Sequence, residues 1–431
     1  MQYQEALSWI HSIRRFGMNQ GLQRIETLLG YLGDPHKKLQ YLHIGGSNGK
    51  GSIAAFTASV LESAGYRAGL YTSPYLEQFT DRMSVNGEEI SKEHLAELAA
   101  FIKPLTEKLA ADPALGQPTE FEVVTALSLK YFAEVKPDIV VLEVGLGGRL
   151  DATNVVSPLV SVINTVSLEH TQVLGNTLAS IAREKGGIIK RNTDLATQAA
   201  GEALPILEEI CREKEAPLYR LGREFRIEIV SSDLEAQAFH YYGLRRNFSA
   251  LRIPLLGEYQ INNAAVALAS LELLERKGFP WDEESMRRGL RATRWPGRLE
   301  ILGRDPLVVI DGAHNSEAFR ELRRAIQQLF PSRKLILILG VLADKAINDL
   351  LSEIIPAAET VILTKPVNPR AAHPLELEKI AREICRQPVF VEEEIAAAIE
   401  KAYSLAATED VILISGSLYL ISEARRILKS N

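Results

Sequence analysis

The stretch Tyr41–Ser52, YLHIGGSNGKGS, most constrains what this chain can fold into. A short apolar run, Tyr41–Ile44, meets a glycine turn, then Lys50 and Ser52. A helical pattern follows, with Ile53, Phe56, Val60 and Ala64 on one face. Strand, glycine turn, lysine, hydroxyl and helix in that order predict a phosphate-binding loop. Glycines let backbone N–H groups turn toward phosphate, and the helix N-terminus adds partial positive charge. Lys50 suits terminal phosphate oxygens, and the Ser52 hydroxyl suits Mg²⁺. Gly51 departs from the common spacing by separating Lys50 from Ser52. An ordinary glycine-rich turn between strand and helix is the alternative that the loop alone leaves open.

At 431 residues the chain exceeds one hydrophobic core, so two domains are expected. Hydrophobic content of 46% and charged content of 24% are those of a globular protein. Apolar runs such as Leu335–Leu339 are strand-sized, which argues against a membrane span. The N-terminus has no basic segment followed by an apolar core, so no signal peptide is expected. Two distant cysteines, Cys211 and Cys385, suit a reducing cytoplasm and exclude a cysteine-rich metal site. The net charge of −6 argues against nucleic acid as a partner, so any anionic ligand must be held by local groups.

Along the chain, helical and strand patterns alternate, which predicts an α/β fold. Ala68–Thr72 reads as a strand ending at Ser73, and Pro74 forces Ser73 into extended geometry. Ligands of open α/β sheets bind at such strand ends. Pro118, Thr119 and Glu120 open a helix with Phe121 on its buried stripe. Ile139–Glu143 reads as a central parallel strand that delivers Glu143 to the same edge. An acid there either binds Mg²⁺ or caps the following turn. Gly145–Asn154 is a glycine-rich loop carrying Arg149 and Asp151, and His170 follows the strand ending at Asn164. His170 is either a hydrogen-bonded structural residue or a ligand. Lys185 lies on the inward stripe of its helix with Leu178, Ile181 and Ala182. It either snorkels or points into the site as a cation or a modified group.

Phe225–Ile229, Ala236–Tyr241 and Leu251–Leu255 are predicted as antiparallel edge strands finishing this sheet. Asn262 and Asn263 fall in the first turns of a helix that starts near Tyr259. Pro296 and Gly297 mark the domain boundary, giving domains 1–294 and 295–431. Strands at Val308–Asp311, Leu335–Leu339, Val361–Thr364 and Val411–Ser415 predict a second, smaller parallel α/β domain. Asp311 and His314 stand at its sheet edge.

The pieces GGSNGKGS, YTSPYL, LEVGLGGRLDATN, EHTQVLG, IAREKGGIIK, WPGRLE, IDGAHN and ISGSLYLISEARR, in this order, resemble the Mur-ligase superfamily. The resemblance is specifically to folylpolyglutamate synthase/dihydrofolate synthase, and it covers nearly the whole chain. It implies a P-loop-type, mostly parallel N-terminal sheet domain and a smaller Rossmann-like α/β C-terminal domain. It also implies ATP-dependent ligation of L-glutamate to a reduced folate or dihydropteroate, in a monomer using two Mg²⁺ ions and K⁺. By resemblance, Asn48, Gly49, Lys50, Gly51 and Ser52 hold ATP phosphates, with Asn263, Arg298, Asp311 and His314 as further nucleotide contacts. Ser52, Ser73, Glu143 and His170 are the implied metal ligands, and Lys185 the implied carbamylated lysine. Asn19, Gln20, Gly21, Leu22, Thr119, Glu120, Phe121, Arg149 and Asp151 are implied at the folate. Lys50, Glu143, His170, Lys185 and Arg298 are the implied catalytic set, with Arg298 brought to the phosphates by domain closure.

Four positions depart from the commonest family pattern: Ser47, Tyr75, Met83 and Gly186. Two other activities compete with the leading one. A cell-wall Mur ligase would need a nucleotide-sugar domain ahead of the phosphate loop, where little chain precedes Gly45. A non-catalytic nucleotide-binding module would have no use for a metal set.

Overall fold

The computed structural model describes residues 1–13 and 21–430. Asn19 and Gln20, expected at the folate, lie outside the described residues. The chain packs as two compact units. The first comprises Met1–Glu228, Phe239–Arg252 and Asn262–Thr293; the second comprises Ile229–Ala238, Ile253–Ile261 and Arg294–Asn431. The sequence reading places Ile229–Ala238 and Ile253–Ile261 in the first domain, but they belong to the second unit. Leu256 and Tyr259 show why, since both pack into the core built around Leu307, Phe319 and Leu337.

The first unit is organised on eight strands: β1 Tyr41–Gly45, β2 Ala68–Tyr71, β3 Met83–Val85, β4 Glu88–Glu89, β5 Ile139–Glu143, β6 Val160–Ile163, β7 Asp194–Thr197 and β8 Leu218–Arg220. Their order is β4-β3-β2-β5-β1-β6-β7-β8. The run from β2 to β8 is parallel, and β3 and β4 continue the sheet antiparallel. Every residue of β1, β5 and β6 is buried, as a parallel sheet covered on both faces requires. Register aligns the strand ends, with Ile44 opposite Glu143 and Gly45 opposite Ile163. The phosphate loop and Glu143 therefore leave the sheet at one edge, at neighbouring strands.

Strands β9 Arg226–Ser232, β10 Gln237–Tyr242 and β11 Asn247–Ile253 form a separate three-stranded sheet in the order β11-β10-β9. The expectation that they extend the large sheet is corrected here. Alternation of side chains predicts a strand but does not say which sheet it joins.

The second unit holds β12 Glu300–Arg304, β13 Leu307–Asp311, β14 Leu335–Leu339, β15 Thr360–Leu363, β16 Val389–Val391 and β17 Val411–Ser415. Their order is β12-β13-β17-β14-β15-β16. All pairs are parallel except β12 with β13. This antiparallel edge strand escapes the sequence reading because it is only half-buried and its register shifts between Ile301 and Gly303.

Candidate active site

The phosphate loop bridges β1 and the helix Lys50–Ser63. Gly46 (φ 133) and Gly49 (φ 79) supply its left-handed backbone. The loop is laced to the segment after β6. Ser47 N–H donates to Thr165 O at 2.7 Å, Asn48 N–H to Thr165 Oγ1 at 3.1 Å, and Ser167 N–H to Ser47 Oγ at 2.9 Å. Lys50 folds its Nζ over the loop, donating to Gly46 O at 3.0 Å and Ser47 O at 3.1 Å. A phosphate group can take over these ammonium hydrogens with little movement of the lysine stem.

Beneath the loop lies a cluster of side-chain amides. Asn164 Nδ2 donates to Asn48 O at 2.7 Å and to Asn263 Oδ1 at 2.9 Å. Gln198 Nε2 donates to Asn164 Oδ1 at 2.5 Å and to Asn263 Oδ1 at 3.0 Å. A Cβ at position 49 would collide with the amides of both Asn164 and Asn263. Gly49 is thus required twice, by its backbone angle and by the amides pressed against it. Asn164 and Gln198 were not identified in the sequence. Their signal is faint: Asn164 closes the strand read up to it, and Gln198 stands just beyond β7, which the sequence reading did not name.

At the same edge Glu143, which is buried, accepts the Ser73 N–H at 3.1 Å through Oε2. Ser52 is buried in the first helical turn after the loop. His170 is exposed, in left-handed backbone (φ 48), at the start of the short helix Thr171–Leu174. Lys185 is only 1% exposed, and its Nζ meets Glu169 Oε1 at 2.9 Å. Burial pushes the Glu169 carboxyl up, but the Lys185 and Lys50 cations outweigh it and hold Glu169 at about 2. Glu169 is a third residue the sequence reading missed; its place beside His170 was the available hint.

Among the described residues, no group of three or more His, Cys, Asp or Glu side chains is arranged to hold a metal. The donor set that the resemblance implies, Ser52, Ser73, Glu143 and His170, is one carboxylate, one imidazole and two hydroxyl-bearing residues. Such a sparse set fits Mg²⁺, which keeps water and substrate phosphate oxygens among its ligands.

The loops expected at the folate are tied down by their own contacts. Asp151 is buried and accepts from Leu146 N–H at 2.8 Å, Thr153 N–H at 2.9 Å and the Thr153 hydroxyl. His43, buried in β1, meets Thr153 Oγ1 at 2.9 Å through Nε2. Burial first, and Lys190 second, hold His43 down at about 3. The Arg149 guanidinium pairs with Glu184, Nη2 to Oε1 at 2.8 Å. Thr119 caps the helix Glu120–Val135 in a reciprocal box with Glu122, and Glu122 also pairs with buried Arg24 at 3.1 Å. Gly21 and Leu22 immediately precede the helix that carries Arg24. Glu120 lies 3.3 Å from His11 Nδ1, and Phe121 is half-buried against Gly145.

In the second unit, Arg298 stands on the turn before β12. Its Nη1 donates to Gly297 O at 3.0 Å. Asp311, buried at the end of β13, accepts Leu299 N–H at 2.9 Å and Ala313 N–H at 2.8 Å. Burial pushes its carboxyl up, and Arg298 and the two N–H groups offset part of the rise. His314 Nδ1 lies 2.9 Å from Gly312 O. Each oxygen of Asp311 therefore already serves a backbone donor, a structural duty the sequence did not disclose.

Residues 44–271 match the Mur ligase middle domain, and residues 297–418 match the Mur ligase, glutamate ligase domain. A dihydrofolate synthase/folylpolyglutamate synthase of Bacillus subtilis is 37% identical over 430 residues, covering 99% of each chain. Folylpolyglutamate synthase of Mycobacterium tuberculosis, solved with ADP, superposes with a TM-score of 0.92 at 32% identity, covering 99% of this chain and 98% of that one. An Escherichia coli relative solved with DHPP and ADP gives 0.89 at 29% identity, covering 100% of this chain and 99% of that one. Two family domains in the right order, and likeness from end to end, leave one conclusion: the chain belongs to the Mur ligase family, in its folylpolyglutamate synthase/dihydrofolate synthase branch.

Proposed function

We propose that this chain is an ATP-dependent carboxylate–amine ligase that joins L-glutamate to the carboxylate of a folate, either a reduced folate or dihydropteroate. One observation carries the reading. A phosphate loop with Lys50 and the strand-end carboxylate Glu143 sits in a chain that matches the folate ligases over 99% of its length.

A carboxylate is a poor electrophile, so it must first gain a leaving group. A folate carboxylate oxygen attacks the γ-phosphorus of ATP, the bond to the bridging oxygen breaks, and ADP departs. The glutamate amine then attacks the acyl carbon, phosphate leaves, and the amine proton passes to solvent. The attacking carboxylate is already ionised, so no side-chain base is needed for the first step. Lys50 moves its hydrogens from the loop carbonyls to phosphate oxygens, and Arg298 supplies a second cation for the transferring group. Asn48 to Ser52 cradle the phosphates, while Asn263, Asp311 and His314 contact the rest of the nucleotide. Ser52, Ser73, Glu143 and His170 would hold Mg²⁺, which when bound neutralises phosphate charge. A carbamate on Lys185 would set an anion against Glu169, so that form needs a cation nearby to offset the like charges. If the carbamate forms, a small added carboxylate partly restores activity to Lys185→Ala; no recovery at any concentration rejects it.

The decisive experiment offers dihydropteroate and tetrahydrofolate separately with ATP, Mg²⁺ and L-glutamate, and identifies products by mass. Phosphate release should require the folate acid and glutamate together. Release with neither, or with a UDP-linked acid in place of folate, overturns the reading.

A further inference from the structure

Arg298 is flanked by two residues with left-handed backbone, Gly297 (φ 75) and Leu299 (φ 42). Glycine adopts this conformation freely, whereas leucine keeps it only where the surroundings over-determine it. Here they do. Gly297 N–H donates to Glu300 Oε2 at 2.8 Å, and Gly297 O accepts Gly312 N–H at 2.9 Å. Leu299 N–H donates to Asp311 Oδ2 at 2.9 Å, and the Leu299 side chain is buried. The turn thus hangs from two carboxylates. Asp311 is fixed at the end of β13. Glu300 is fixed from outside the turn, by Arg425 on the helix Leu418–Ser430. Arg425 is buried, and its Nε lies 3.0 and 2.9 Å from the two Glu300 oxygens.

We propose that Arg425 is a positioning residue: through Glu300 it locks the Gly297–Leu299 turn, so that Arg298 is presented in one pose. Arg425 acts on turnover only by way of Arg298. The inference rests on the reading above, in which Arg298 works on the transferring phosphoryl group. A buried guanidinium held by both oxygens of a half-buried carboxylate has a narrow range of geometries, and small misplacements of a group acting on the reacting atoms are costly.

The test is a double-mutant cycle on the full chain, reading kcat, the KM values for ATP and folate, and amide hydrogen exchange. Arg425→Met should lower kcat about 10-fold, within the range that small misplacements produce, and leave the folate KM unchanged. Arg425→Lys should recover part of the loss. In an Arg298→Ala background, Arg425→Met should have no further effect. An equal fold-loss in both backgrounds, or a kcat for Arg425→Met within about 2-fold of the parent, overturns the proposal. Should Arg425→Met fail to fold, Glu300→Gln carries the same cycle, since it keeps an acceptor for Gly297 N–H and loses the ion pair. If Arg298→Ala itself leaves kcat unchanged, the role given to Arg298 fails. The turn is then judged by exchange: faster exchange at Gly297 and Leu299 in Arg425→Met supports the lock, and unchanged exchange rejects it.

Discussion

Lys50 and Arg298 each stand on a glycine-bearing turn beside the C-terminal end of a buried strand, yet the groups that brace the two turns differ in charge. Asn164, Gln198 and Asn263 hold the phosphate loop with neutral amides. Asp311 and Glu300 hold the arginine turn with carboxylates. Neutral bracing leaves the positive field of the loop N–H groups and of Lys50 undiluted, which suits a site for several phosphate charges. Carboxylate bracing confines a guanidinium, at the cost of lowering the local positive potential. On the function proposed above, the phosphate loop serves to attract and the arginine turn to aim.

That contrast can be broken at its cations first. Lys50→Ala should lower kcat by about 10³-fold or more, and Arg298→Ala by about 10²-fold, measured as folate-dependent phosphate release. Equal losses would erase the division of labour. The bracing comes next. Gln198→Leu removes a donor from the buried amide cluster and should raise the KM for ATP about 10-fold, the equivalent of about 1.4 kcal/mol. Its kcat should change far less. A fall in kcat with no change in KM would mean that the amides aim rather than hold.

The smallest expected effects are on pH dependence, and the two regions should differ in sign. His43, in the strand feeding the phosphate loop, is held down at about 3, below its ordinary value near 6.5. As pH falls through that window the unfolded chain takes up a proton that the folded chain refuses. Stability is then lost at up to about 1.4 kcal/mol per pH unit. His43→Asn should flatten this acid slope. Asp311 is pushed up from 3.8, so the folded chain binds the extra proton, and stability is lost as pH rises above the ordinary carboxylate value. Asp311→Asn should remove that opposite slope. Hydrogen exchange in each unit, followed between pH 3 and 6.5 for His43 and upward from pH 3.8 for Asp311, reads both; slopes of one sign would refute the contrast.

Much of this was legible in the chain. The phosphate loop, the strand ending in Glu143 and the inward lysine at 185 follow from periodicity and from the rule that strand ends carry ligands. What stayed hidden are contacts between elements distant in sequence. Residues 48, 164 and 198 meet because parallel strands bring their ends to one edge, and Asn263 joins them from the helix Glu258–Glu275. Glu169 as the partner of Lys185, Arg24 as the partner of Glu122 and Arg425 as the partner of Glu300 are likewise pairings that charge alone cannot choose among. The half-buried strand β12 was missed because its pattern is interrupted. The resemblance named the folate loops, but it did not reveal that Asp151 and Asp311 each hold backbone N–H groups in place.

The amide cluster carries one further consequence. A backbone oxygen has no hydrogen to give, so Asn48 O compels Asn164 to turn its NH₂ end toward the loop. That choice leaves the Asn164 oxygen to face Gln198, and obliges Asn263 to present its oxygen to both neighbours. The polarity of three side chains is therefore dictated by one peptide group. Rotating the peptide between Asn48 and Gly49 would put N–H against NH₂ and upset the cluster as a whole, so the loop's conformation and the way Asn263 is turned are settled together.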